Sequence, residues 1–244
     1  YDLYGKFKRC LSLDREVSSI FDYDKDNLIC YDMSDYHSKG EDRTRSYHII
    51  LSKQDGSITR KISIPFDEVK SPVARNGEAW AVPVPTAVYQ IVPDHTNWVL
   101  METSSDTIYH YLPDANTTIP LIVRPPSIHT MDPPEVFLMP TVFTDRYYFM
   151  SLLKAEFNFE TGRGFPISGL MYDRLENSLF IPKIYNGDYT SKREVDMTSR
   201  PLDEEFVIGQ SLQAHELVEA YGKGRLKGKL KEIATTLDEE SNPM

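Results

Sequence analysis

The amino-acid sequence predicts an all-β fold, and three features of its 244 residues support that prediction. Short runs of apolar or alternating residues are separated by turn residues along most of the chain. The pair Asp55-Gly56 lies between alternating runs at 47–51 and 58–64, which is a strong hairpin signal. Before about residue 208 no long amphipathic pattern occurs, which argues against alternating strands and helices.

The predicted strands form pairs around polar turns. Three such pairs are 19–21 with 28–31, 98–103 with 107–112, and 170–172 with 178–184. Further strands are predicted at 119–123, 136–139 and 141–153, the last of them with an inner turn at 144–146. The turns are rich in Asp, Asn and Ser, which favour tight reversals of the chain.

One shape recurs along the chain: an apolar run, an acidic turn, and a run rich in Tyr, Phe or Ile. It occurs at 20–32, 100–111 and 170–180, and the first two copies lie about two blade lengths apart at 40–45 residues per blade. The recurrence favours a β-propeller of four-stranded antiparallel blades over a β-sandwich. Residues 1–210 are therefore predicted to form blades.

The last 35 or so residues have a helical pattern. Apolar residues recur at helical spacing in two groups: Ala214, Leu217, Val218 and Tyr221, then Leu226, Leu230, Ile233 and Leu237. Gly222 and Gly224 separate the two groups, so two short helices are predicted. Residues 211–244 are expected to form a helical appendage packed on the propeller.

Several phrases carry a family resemblance: Tyr1 to Phe7, Ile50 to Ile58, and Leu230 to Ala234 followed by Leu237 to Pro243. They resemble the six-bladed, NHL/TolB-like β-propeller proteins exported by gut Bacteroidetes, most of which have no known function. The resemblance implies an exported protein of the periplasm or outer-membrane surface, with a lipid anchor in the full-length protein. It carries no invariant catalytic signature.

The length of the chain is short for a complete ring. Six blades need about 240–300 residues, whereas about 210 precede the helical pattern, enough for four to five blades. An open arc would leave strand edges unpaired, which natural proteins avoid. We therefore expect the natural protein to contain further residues, with completion by a second copy as the alternative.

Composition and charge restrict the class of partner. The chain has 27 Lys plus Arg against 37 Asp plus Glu, a formal charge of −10. Nucleic acids and anionic membranes select for Lys and Arg, so neither is an expected partner. No apolar run approaches the roughly 18 residues of a membrane-spanning helix. We expect a monomer that binds a protein, peptide or glycan.

The two cysteines, Cys10 and Cys30, are too few for a disulfide framework or a structural zinc site. Each lies in an apolar, strand-like run, so two buried thiols are expected, because free cysteines are usually buried. A disulfide between them is the alternative if their strands are neighbours.

Asp22, Asp24 and Asp26 alternate like the start of a calcium-binding loop. The EF-hand pattern next requires Gly and later Glu, but Asn27 and Met33 occupy those positions. A tight acidic hairpin is therefore the favoured interpretation. Calcium bound by carboxylates from several blade loops stays open as an alternative.

The histidines give no metal-binding spacing. The six are His37, His48, His95, His110, His129 and His215. His48 and His110 lie within predicted strands, where a hydrogen-bonded structural role is expected. Asp94 and His95 next to Trp98 form a weak candidate pocket, because a catalytic site needs a third converging group.

Three other motifs are weak. Ser168 lacks the glycine spacing of a nucleophile elbow, and Gly222 to Lys229 lacks the Ser or Thr that ends a phosphate loop. The five basic residues between Lys223 and Lys231 are predicted to be a solvated face, with docking of an acidic partner as the alternative. Tyr147 and Tyr148 are candidates to line a sugar- or peptide-binding surface.

The function predicted from these features is a non-enzymatic binding or scaffold module of the cell envelope, which holds a glycan, peptide or protein on a propeller face. No catalytic or metal-binding residue is predicted, and no binding residue can be named. The alternative is a calcium-dependent propeller hydrolase or lactonase. A third hypothesis is an assembly protein whose C-terminal helices dock a neighbour.

Overall fold

A computed structural model describes residues 6–7, 10–34, 47–83, 88–198, 211–238 and 240–241. The predicted features at 1–5 and 242–243, and His37, lie outside these residues. The all-β prediction is confirmed, since the described part contains eighteen strands and two short helices. Twelve of the strands form three four-stranded antiparallel sheets.

The first sheet is a simple meander. Its strands, in spatial order, are β1 (Val17–Asp22), β2 (Asn27–Asp32), β3 (His48–Ser52) and β4 (Ile58–Ile62). In β3 the four residues from His48 to Leu51 are all buried, so both faces of this strand are covered. Burial of both faces explains why the strand is almost continuously apolar rather than strictly alternating.

The second sheet is a meander of four further strands. They are β7 (Ile91–Asp94), β8 (Asn97–Leu100), β9 (Thr107–Leu112) and β10 (Thr117–Val123). A hairpin of β5 (Ala74–Asn76) and β6 (Ala79–Ala81) precedes it. One apolar cluster joins the two sheets, with Ile29 and Ile50 from the first and Leu100 and Tyr111 from the second.

The third sheet contains an insertion. Its strands are β11 (Val136–Phe143), β12 (Tyr147–Lys154), β15 (Ile167–Asp173) and β16 (Ser178–Phe180). The short hairpin of β13 (Phe157–Asn158) and β14 (Arg163–Gly164) lies between β12 and β15 in the chain. The first strands of the second and third sheets begin 45 residues apart, as expected for neighbouring propeller blades.

The recurrent acidic hairpins do not occupy equivalent places in the sheets, so the predicted phase of the repeat is wrong. The first copy joins strands one and two of its sheet, the second joins strands two and three, and the third joins strands three and four. Tight turns favour Asp, Asn and Ser whichever strands they join. The same residue types therefore recur in hairpins that are not structurally equivalent.

The structural repeat is instead a tyrosine–asparagine pair between strands three and four of the second and third sheets. The Tyr111 hydroxyl donates to Oδ1 of Asn116 at 3.0 Å, and that of Tyr172 donates to Oδ1 of Asn177 at 2.7 Å. Both asparagines adopt positive φ, near 47° and 48°. Asn tolerates this conformation, and Gly56, with φ of 77°, takes the same position in the first sheet.

The C-terminal part comprises the hairpin of β17 (Ile184–Tyr185) and β18 (Glu194–Val195), then α1 (Ala214–Gly222) and α2 (Gly228–Ala234). The break between two helices is confirmed. The second helix begins later than predicted, because Leu226 forms an isolated β-bridge with Tyr189 and is buried there. Neither helix has the length and apolar character needed to cross a membrane.

Asp188 accepts backbone hydrogen bonds at the start of α2. The backbone N–H of Leu230 donates to Oδ2 of Asp188, and that of Lys227 donates to its carbonyl oxygen. The helices pack on this segment through a cluster that includes Tyr189, Leu217 and Leu226. The appendage therefore contacts the segment that follows the third sheet.

The chain divides into two compact units. Described residues up to 140, with 153–166, form the first unit; residues 141–152, with those from 167 onward, form the second. The first two sheets belong to the first unit, and both helices to the second. The predicted boundary between blades and helical appendage at residue 210 is a different division, and it stays a prediction.

We predict that Gly228→Ala destabilises the second unit. Gly228 has a φ of 55°, and a Cβ atom there would overlap Oδ1 of Asp188. The strained backbone and the displaced carboxylate should together lower the free energy of unfolding by about 1–3 kcal/mol. Urea unfolding followed by circular dichroism measures the change. Gly187→Ala is the control, since a Cβ there meets no atom within 4 Å; equal losses would contradict the prediction.

We also predict that the two repeated tyrosines differ in importance. Tyr111 is 1 % exposed and additionally accepts a 2.7 Å hydrogen bond from Nη1 of Arg60, whereas the Tyr172 bond is solvent-exposed. Tyr111→Phe should therefore cost about 1–3 kcal/mol, because it removes the two hydrogen bonds of a buried hydroxyl, and Tyr172→Phe about 0.5–1 kcal/mol. Chemical unfolding of both variants tests the order; a larger loss for Tyr172→Phe would refute it.

Candidate functional site

The second unit contains a cavity of about 450 Å³. Strands β12 and β15 provide one side, and the β17–β18 hairpin with residues 196–198 provides the other. This volume lies within the range of about 300–1,000 Å³ that small-ligand sites occupy. The sequence did not identify this place, because its far wall consists of two-residue strands that show no periodicity.

Most of the residues that line the cavity are apolar, but the surface that they expose to it is about equally polar and apolar. Phe149 and Met150 of β12 are buried, and Ile167 of β15 is 42 % exposed. The other apolar lining residues are Leu170, Pro182, Ile184, Val195 and Met197. Gly169 adds open space, since a Cβ atom there would meet only Pro182, at 3.9 Å. The lining therefore offers contacts to an apolar group of modest size and to polar groups beside it.

Two carboxylates stand at the edge of this lining. Glu194 begins β18, Asp196 directly follows this strand, and both residues line the cavity. Asp196 accepts a hydrogen bond from the backbone N–H of Thr198 at 2.8 Å. Within the described residues neither carboxylate has an ion-pair partner, so the edge carries uncompensated negative charge.

Hydrogen bonds hold the far wall in place. The Thr141 hydroxyl of β11 donates to the carbonyl oxygen of Met197 at 2.9 Å. Arg193, directly before β18, donates to the Tyr189 hydroxyl at 2.9 Å and pairs with Glu216 of α1 at 3.2 Å. The helical appendage thus braces the hairpin that forms the cavity wall.

The polar side chains of the cavity lining are those of Glu194, Asp196 and Thr198. The lining contains no His, Cys or Ser that an adjacent base activates. Across the residues that the structure describes, no three His, Cys, Asp or Glu side chains converge as metal ligands. Two carboxylates at one edge do not provide the six to eight oxygens that calcium takes. The calcium hypothesis therefore gains no site here.

The acidic hairpin at 22–27 is a structural turn, as the favoured interpretation predicted. Oδ1 of Asp24 accepts from the backbone N–H groups of Asp26 and Asn27, each at 2.8 Å. Asp22 forms an ion pair with Lys53. The Asp24 carboxylate is therefore engaged within the turn and that of Asp22 by Lys53.

The hydrogen-bonded role predicted for the histidines in strands is confirmed for His48. His48 is buried, and its Nε2 donates to the carbonyl oxygen of Gln90 at 3.1 Å; burial lowers its pKa to about 4. Nε2 of His110 lies 3.1 Å from Oδ2 of Asp94, but within the described residues this buried nitrogen has no partner in hydrogen-bond geometry, so the prediction is wrong for it. The Asp94–His95 pocket is not formed, because the His95 side chain is 67 % exposed and Trp98 is buried in the core.

The candidate tyrosines and cysteines are also placed. The guanidinium groups of Arg146 and Arg174 lie over the rings of Tyr147 and Tyr148, at 4.9 and 5.3 Å, and so cover one face of each ring. Both cysteines are free thiols. Cys30 is buried, as expected, and burial raises its pKa to about 11. Cys10 is exposed, so the expectation of two buried thiols is wrong for it.

Sequence reasoning missed a buried carboxyl group in the first unit. Glu102 lies two residues after the buried end of β8 and is 2 % exposed. The Tyr31 hydroxyl donates to its Oε2 at 2.8 Å, and the Ser104 N–H lies 3.3 Å from its Oε1. Burial raises the pKa of this carboxyl. A lone acidic residue after an apolar strand was the only signal in the sequence.

The contacts of Thr103 and the burial of Glu102 act in opposite directions on its protonation. The Thr103 hydroxyl lies 2.7 Å from the carbonyl oxygen of Lys70 and 3.2 Å from Oε1 of Glu102. A hydroxyl has one proton, so it is shared between these two acceptors. Burial favours the protonated carboxyl and has the larger effect on the pKa, whereas the hydrogen bonds from Tyr31, Thr103 and Ser104 favour the carboxylate.

The strand order defines the class of this protein: four-stranded antiparallel blades of the β-propeller type. The chain belongs to the DUF5128 family, described as a 6-bladed beta-propeller, whose family model matches residues 1–209. The propeller and its six-bladed type are thus confirmed, and the three blades described here are an incomplete set. No curated protein and no solved structure matches the chain.

We predict that Glu102→Gln alters the pH dependence of stability. A carboxyl whose pKa is raised by folding stabilises fully below its unfolded pKa, and this contribution is lost as the pH rises through the folded value. An amide is neutral throughout, so the variant should gain stability relative to wild type as the pH rises above the ordinary glutamate pKa of about 4.

Urea unfolding at several pH values measures this gain. The exposed Glu78→Gln is the matched control, because it removes the same charge from the same unit. A constant difference in free energy between wild type and Glu102→Gln across the pH range would show that Glu102 does not hold a proton when folded.

Proposed function

We propose that this propeller is a non-enzymatic binding module that holds a peptide segment of a partner protein. The single observation that carries the proposal is the cavity of about 450 Å³, with its apolar lining residues and its two carboxylates at the edge. An apolar side chain fits the lining, and a neighbouring Lys or Arg of the ligand pairs with Glu194 or Asp196.

The lining supports a peptide more than a glycan. Sugar rings stack on exposed aromatic faces, whereas Phe149, the one aromatic residue of the lining, is 7 % exposed. Tyr147 and Tyr148 have guanidinium groups over one ring face each. A ligand with Leu, Ile or Phe beside a basic residue matches both the apolar wall and the acidic edge.

Only the family resemblance supports a proposal about where the protein is located in the cell. Export to the periplasm or outer-membrane surface, with a lipid anchor in the full-length protein, is an expectation that localisation by fractionation tests separately. The binding proposal depends on the cavity alone, and it holds in any compartment.

We predict that the protein binds short synthetic peptides that combine Leu, Ile or Phe with Lys or Arg. Glu194→Gln with Asp196→Asn should weaken this binding about tenfold or more, because two carboxylates no longer pair with the ligand cation. Gly169→Val should weaken it by filling the cavity, since the added side chain lies at an open part of the lining. Fluorescence anisotropy with labelled peptides gives the affinities.

Two controls make the result specific. Asp67→Asn with Glu68→Gln removes the same charge from exposed positions of the first unit and should leave affinity unchanged. Peptides in which Glu replaces the basic residue should not bind. Binding of glycans instead of peptides, or equal loss in the control variant, would overturn the proposal.

A further inference from the structure

The turn between α1 and α2 carries a dense positive charge. Residues 223–231 contain five basic side chains and no acidic one, although the whole chain has a charge of −10. All five are exposed: Lys223, Arg225, Lys227, Lys229 and Lys231. We call these five residues the basic turn.

The backbone of the basic turn is fixed to the rest of the second unit. The Thr190 N–H donates to the carbonyl oxygen of Arg225 at 2.9 Å, and the Lys227 N–H donates to that of Asp188 at 2.7 Å. Leu226 is buried between these contacts, at 4 % exposure. The cations therefore project from an ordered backbone, which lowers the entropy cost of binding.

Local acidic residues neutralise only part of this charge. Lys223 pairs with Glu219 of α1, and Lys229 pairs with Glu232 of α2 at 3.3 Å. Glu216 is engaged by Arg193, and Asp188 receives backbone hydrogen bonds at the start of α2. In the described ranges Arg225, Lys227 and Lys231 have no ion-pair partner. Three cations on one turn thus remain available.

We propose that the basic turn docks a short acidic segment of a partner protein. A short segment interacts with charges within about 10 Å, the screening distance at physiological salt, and so senses the local cations. An extended polyanion, such as a nucleic acid or an anionic membrane, also meets the acidic remainder of the surface. This docking surface is independent of the cavity, whose two edge carboxylates select the opposite charge.

The test measures binding of fluorescein-labelled octa-glutamate to the full chain. Arg225→Ser, Lys227→Ser and Lys231→Ser together should weaken binding about tenfold or more, because three exposed ion pairs are lost. Lys25→Ser, Lys61→Ser and Arg75→Ser are the matched control: they remove the same net charge from exposed sites in the first unit and should change affinity less than about twofold.

Further measurements separate the alternatives. Circular dichroism verifies that both triple variants fold, and the cavity variant with Glu194→Gln and Asp196→Asn should bind octa-glutamate at least as well as wild type. Equal weakening in the two triple variants, absence of binding by wild type, or tighter binding of oligothymidylate or phosphatidylglycerol vesicles would each overturn the proposal.

Discussion

Burial of both faces of a four-stranded sheet is the constraint on which the described structure depends. In the first sheet Ile29 and Ile50 face the second sheet, while Cys30 and Ile49 form a separate cluster on the opposite face. A strand buried in this way is almost continuously apolar, and any polar group buried with it needs a hydrogen-bond partner within the protein. His48 and Glu102 are such groups: each is almost fully buried, and each forms hydrogen bonds to a neighbouring segment.

The cavity arises where one face of a sheet is only partly buried. The third sheet has four strands, but the β17–β18 hairpin has two, each of two residues. A narrow hairpin leaves part of a wider sheet uncovered, and apolar side chains such as Ile167 border the resulting space. Leu179 and Ile181, at and after the edge strand β16, are 63 % and 82 % exposed, which continues the incompletely covered apolar surface.

The sequence predicted the fold class because the information is local. Turn residues such as those at 22–27 and 173–177 dictate hairpins, and the spacing of Ala214, Leu217 and Tyr221 dictates α1. The phase of the repeat could not be predicted, because any reversal of the chain selects the same residues. Strand β7 was missed, since its four residues include Pro93 and show no alternation. The cavity depends on contacts between β12, β15 and the segment 194–198, which no sequence pattern encodes.

The second unit has one acidic and one basic surface, which the net charge of the whole chain does not reveal. Glu194 and Asp196 lie at the cavity edge, whereas Arg225, Lys227 and Lys231 lie on the turn between the helices. Arg193 lies at the end of the turn between β17 and β18, directly before Glu194, and pairs with Glu216 of α1. That ion pair fixes the hairpin to the helix. It also neutralises one cation and one anion that would otherwise add opposite charge to the two surfaces. Together with the Thr141 hydrogen bond to Met197, this pair supports the cavity wall between the acidic and the basic surface.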